Sequence, residues 1–214
     1  MKPFYRWLGL LMMGSLVACA STTRLESVDR AVDSAAPYSK VLVLAISDNG
    51  QIRQVVEKGL GEELARHGIR HVVASSQMPG GLDKENPQSI RSRAEAVVRE
   101  TGVDAVLVAM LLHEEVRQEY IPPREEQVPV ANVPYFMGYG AYVGFHYQTV
   151  YTPGYYREEQ NYYVQNTLFD ASNEQQVWRA QSRTVDPVDI QHGVASLSRL
   201  VVNRLVKDGM LEAE

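Results

Sequence analysis

The chain has 214 residues, 21 basic and 26 acidic side chains, a net charge of −5 and one cysteine. That length suffices for a domain with a sizeable core. A single cysteine excludes an intrachain disulfide or a thiolate-rich metal site. An acidic balance without a Lys/Arg-rich run gives nucleic-acid binding no electrostatic basis.

The N-terminus carries the sharpest signal. Lys2 and Arg6 precede an apolar run from Trp7 to Ala18 that ends in small residues before Cys19. A charged start, a short apolar core and a small-residue end make a secretory signal. The run is shorter than the roughly 20 residues that a spanning helix requires. Leu16-Val17-Ala18-Cys19 resembles the lipobox of bacterial lipoproteins. The resemblance implies cleavage after residue 18 and fatty acylation (palmitate-type chains) of Cys19, on its sulfur and on its new amino group. Ala20 follows the cysteine where an Asp would retain the protein at the inner membrane, so the resemblance also implies the outer membrane, facing the periplasm.

Residues 19–37 are rich in Ser, Thr, Asp, Arg and Ala without a sustained apolar period, and are expected to form a flexible tether. One domain is expected over 38–210. The apolar run Lys40–Ile46 predicts a buried strand. Ile52, Val55, Val56, Leu60 and Leu64 predict a helix, stopped at His67-Gly68, in which Gly59 and Gly61 permit close approach to the sheet. Arg70–Ala74 reads as a second strand, residues 90–98 as a second helix ended by Gly102, and Asp104–Leu112 as a third strand. This β-α-β-α-β order implies a partly parallel, right-handed α/β front half.

The back half changes character. Residues 121–138 carry four prolines and are expected to be an irregular loop, part of an insertion over about 121–156. From Tyr139 to Tyr151 the chain alternates, then breaks at Pro153-Gly154. Tyr162–Ala171 and Gln176–Val185 predict a hairpin turning at Ser172-Asn173-Glu174. After Pro187, Ile190, Val194, Leu197, Val201 and Leu205 form one apolar helical stripe. The expected class is α/β (α+β), with antiparallel strands extending the front half and a closing C-terminal helix.

The hairpin Leu168-Phe169-Asp170, a polar turn, then Val177-Trp178-Arg179 resembles a motif of bacterial lipoproteins known only as a domain of unknown function. A Tyr/Gly-rich segment precedes that motif and an amphipathic helix follows it, as over residues 135–208 here. The front half is similar in element order to envelope assembly lipoproteins such as the curli secretion channel. Neither resemblance implies catalytic residues. Asp170, Trp178 and Arg179 are expected to be structural: a turn carboxylate, a core ring with one donor, and an outward cation.

Chemistry is sparse. The pairs Glu114-Glu115, Glu125-Glu126 and Glu158-Glu159 sit on adjacent residues, which point to opposite faces of a strand and cannot share one substrate. His67 and His71 have helical ligand spacing, but Gly68 interrupts the helix and no third ligand stands near. No nucleophile elbow, phosphate loop or dinucleotide fingerprint occurs. No catalytic residue, metal or cofactor is expected. The functional candidate is aromatic, since nine of the twelve tyrosines lie between Tyr135 and Tyr163. Tyr139, Tyr142, Tyr147, Tyr151, Tyr155 and Tyr156 are the expected surface for an envelope protein or glycan partner. Two other readings compete: packing beneath a long hairpin, and a membrane-entering β-segment of an oligomeric pore-like or secretion assembly. A non-catalytic binding or assembly module is favoured, with a hydrolase third.

Overall fold

A computed structural model describes residues 23–31, 37–83, 85–129 and 147–212. Cys19, Tyr139 and Tyr142 lie outside the described residues, and Tyr147 is described by its backbone alone. The strands are β1 (Thr23–Arg30), β2 (Lys40–Ile46), β3 (Arg70–Val73), β4 (Ala105–Ile121), β5 (Arg124–Pro129), β6 (Tyr147–Thr152), β7 (Tyr155–Asp170) and β8 (Gln176–Val185). The helices are α1 (Gly50–Arg66), a single turn α2 (Ala74–Gln77), α3 (Pro87–Thr101) and α4 (Ile190–Lys207). Six strands form one mixed sheet in the order β1-β8-β7-β4-β2-β3, and β5 and β6 pair separately. The expected α+β architecture is the observed one.

β2 is parallel to both its neighbours, β3 and β4. It is a continuous apolar run because both its faces are covered. On one face Val41 and Val43 join Ala105, Leu107 and Leu168 beneath Leu60 and Leu64 of α1 and Leu197, Val201 and Leu205 of α4. On the other, Leu42 and Leu44 meet Met78, Leu82 and Val97 beside α3. Local signals set the helix ends. Asn49 caps α1 by accepting from the Gln51 and Ile52 amides, and Asn86 caps α3 by accepting from Ser89. Gly102 closes α3 at φ 60, a left-handed conformation that suits glycine.

Gly59 departs from its expected role. A β-carbon there would lie 2.5 Å from Val194 Cγ1, so this glycine brings α1 close to α4 and not to the sheet. Gly61 does face the sheet: its β-carbon would meet the His71 ring of β3 at 2.9 Å.

Three further expectations are corrected. The tether is not unstructured throughout, because Thr23–Arg30 is an edge strand antiparallel to β8. A register shift between Leu25 and Ser27 turns Leu25 and Val28 to the same side, where both pack on the core. The resulting spacing of three hides the strand's period of two. β4 does not end near Leu112 but runs to Ile121, and β7 begins at Tyr155, seven residues before its expected start. The irregular loop contains β5, which pairs with β6 from Arg124↔Thr152 to Pro129↔Tyr147. Among the described residues, no helix is long and apolar enough to cross a membrane.

Candidate functional site

β4 and β7 pair for far longer than the domain beneath them needs. Their register runs from Ala105↔Asp170 to Ile121↔Tyr155, shifted once between Leu111 and His113. The lower half lies between helices. The upper half leaves the sheet as a two-stranded ribbon, and Leu111–Glu114 and Val116–Tyr120 are exposed. Pro122-Pro123 faces Pro153-Gly154 where the ladder breaks, since proline cannot donate to it. Pairing then resumes in β5 and β6.

The ribbon's two faces differ in chemistry. One is a charged ladder. The Tyr163 hydroxyl donates to Glu115 at 3.1 Å, and Arg117 pairs with Glu115 at 2.9 Å. Arg157 donates to Glu119 at 2.7 Å and Arg183 to Glu159 at 2.9 Å. His113 stacks on Tyr163, with centroids 4.3 Å apart. Hydrogen bonding from Arg117 holds the Glu115 carboxyl below its ordinary range, against the opposing effect of burial, and the Tyr163 hydroxyl lowers it further. These charges are largely matched within the face.

The other face carries Val116, Gln118 and Tyr120 opposite Gln160, Glu158 and Tyr156. It holds no cation. The Tyr120 and Tyr156 rings lie 5.1 Å apart at 49°, the tilted arrangement that aromatic pairs favour. They are nevertheless 53% and 72% exposed, and Val116 is 60% exposed. Gly154 makes room for this pair, since a β-carbon there would lie 2.4 Å from the Tyr120 hydroxyl. Exposed aromatics beside neutral amides suit a contact surface.

The structure divides the expected tyrosine set. Tyr156 joins this face, while Tyr155, its neighbour on the strand, pairs with Ile121 on the charged side. Tyr151 is exposed on β6, opposite Glu125. Tyr120 was not among the expected residues. It lies 36 positions from its partner in a charged stretch, and only the β4–β7 register brings the two together.

The hairpin residues lie inside the fold. Asp170 accepts from the Tyr38 hydroxyl at 2.9 Å and from the Ser172 amide at 2.8 Å. Burial pushes its carboxyl up, but hydrogen bonds from Ser172, Tyr38 and Asn173 outweigh burial and leave it below the ordinary range. Trp178 is fully buried and donates its indole N–H to Asp208 at 2.9 Å. Arg179 points outward and pairs with Asp29 of β1 at 2.8 Å.

A buried ion pair went unread in the sequence. Arg53 and Glu57 pair at 2.8 Å with no side-chain exposure, on what reads as a polar stretch of α1. Glu57 accepts from the Ala45 and Ser75 amides, and Arg53 donates to the Met78 and Gly80 carbonyls. Their i,i+4 spacing was the available signal. Among the described residues, no group of three or more His, Cys, Asp or Glu side chains is placed to hold a metal ion.

No family model matches the chain, and no curated protein matches it. Among solved structures it is similar to a dodecamer-forming variant of PelC from Paraburkholderia phytofirmans, at 15% identity and TM-score 0.44, over 86% of this chain and 97% of that one. It is also similar to the lipoprotein GNA1162 from Neisseria meningitidis, at 14% identity and TM-score 0.39, over 79% and 99%.

Proposed function

We propose that this chain is a lipid-anchored protein of the bacterial outer membrane, facing the periplasm, and a non-catalytic binding module. Its β4–β7 ribbon docks an envelope protein or glycan through the Val116–Tyr120–Tyr156 face. One observation carries the reading: two tyrosines and a valine stay exposed on a face without cations, at the end of a ribbon longer than the core requires. The lipobox-like Leu16–Cys19 supports the anchor. Four carboxylates with lowered affinity for protons, Glu115, Asp170, Asp189 and Asp208, are held by hydrogen bonds within the fold, which favours structural roles over catalysis.

The test is a cross-linked pull-down from native membranes with the parent and with Tyr120→Ala/Tyr156→Ala. Loss of one saturable partner, with unchanged circular dichroism, supports docking by this face. Undiminished recovery of that partner contradicts it. Ring formation with leakage of lipid vesicles would identify the pore-like assembly instead.

A further inference from the structure

A cavity of about 610 Å³ lies between the sheet and helices α1 and α4, where β2 and β4 finish their parallel pairing. That size is typical of a small-ligand site. Much of its wall is apolar, formed by Ile46, Val56, Leu111, Val164, Val194 and Leu197. Ile52 and Ile190 also line it, and both remain more than a third exposed, as does Leu111. A wet apolar lip leading into an apolar cavity calls for an apolar occupant.

The position of the N-terminus names one. Thr184 lines this cavity, and its hydroxyl lies 2.9 Å from that of Thr23, the first described residue of β1. Cys19 precedes Thr23 by only four residues. Fully extended, such a span reaches at most about 14 Å. We propose that one acyl chain carried by Cys19 lies in this cavity. The proposal rests on the lipidation reading of Cys19.

Charge favours this source over a free fatty acid or an anionic phospholipid. Asp48, Glu114 and Asp189 also line the cavity and oppose a second negative headgroup. Arg53 lines it as well, but Glu57 already balances its charge at 2.8 Å. Arg53 Nη2 is buried without a hydrogen-bond partner. With its charge balanced and its side chain without exposed surface, Arg53 gives an anionic headgroup no counter-ion. An acyl chain in an apolar cavity stays out of water as it does in a bilayer, so little hydrophobic free energy separates the two sites. The remaining chains keep the protein on the membrane, with the ribbon's base held at its surface.

The full acylated protein tests this directly. Cells are fed a photoactivatable palmitate analogue, and the protein is placed in phosphatidylethanolamine/phosphatidylglycerol vesicles and irradiated. The proposal expects label from Cys19 on peptides containing Leu111, Val164 or Val194. Ile190→Glu and Leu111→Glu each charge its half-exposed lip. Either should abolish that label while circular dichroism is retained. Label confined to vesicle lipid overturns the proposal, as does entry of a photoactivatable vesicle phospholipid in place of the Cys19 chain. Intact mass separates the failures: unacylated Cys19 overturns the anchor and the cavity proposal together, whereas acylated Cys19 with an unlabelled cavity overturns the cavity proposal alone.

Discussion

Trp178 and Arg179 are adjacent and have opposite energetic weight. The indole is fully buried and bonded to Asp208, whereas Arg179 forms an exposed pair with Asp29. Trp178→Ala should cost roughly 3–5 kcal/mol, and Arg179→Ala less than about 1 kcal/mol, both read from urea unfolding. Asp170 and Asp208 link stability to acid. For Asp208, burial raises the carboxyl, and hydrogen bonds from Trp178 and Arg204 reverse the effect, so it too lies below the ordinary range. A carboxyl lowered in the folded state adds stability above its unfolded pKa of about 3.9. That contribution is lost as pH falls through the folded value. Thermal midpoints should therefore fall below about pH 4, and Asp208→Asn should flatten that fall. An equally steep fall in the Asn variant would contradict the assignment.

At the scale of elements, legibility followed core contact. β2 and the stripe of α4 were legible because two packed faces, or one, imposed a period on their apolar residues. The upper half of β4 touches no core. His113-Glu114-Glu115-Val116-Arg117-Gln118-Glu119 therefore shows no strand period, although its backbone is paired throughout. β1 was hidden by the shift that places Leu25 and Val28 on one side. Val28→Asp tests that strand. Charging a partly buried edge position should cost roughly 1–3 kcal/mol, whereas a free tether predicts no change in the unfolding midpoint. For the ribbon, Tyr120→Ala/Tyr156→Ala should move stability by less than about 0.5 kcal/mol, because both rings are exposed. A larger loss would make these rings structural.

At the scale of the molecule, register joins parts that sequence keeps distant. Thr23, Thr184, Tyr162 and Glu114 stand in one cross-strand row. That row is four residues from Cys19 and at the base of the ribbon. The lipidation expected of Cys19 rests on a local run of residues. The aromatic face does not, because Tyr120 and Tyr156 meet only through the β4–β7 register. The start of β1, an apolar cavity and an aromatic arm thus share one end of the domain. The most direct measurement places a photo-cross-linking residue in turn at 116, 120 and 156, and at 117 and 157 on the charged face, in acylated protein on native membranes. Docking through the Val116–Tyr120–Tyr156 face predicts adducts to one envelope partner from 116, 120 and 156, with little from 117 and 157. Equal adducts from both faces, or none from 120 and 156 in folded, anchored protein, would contradict it.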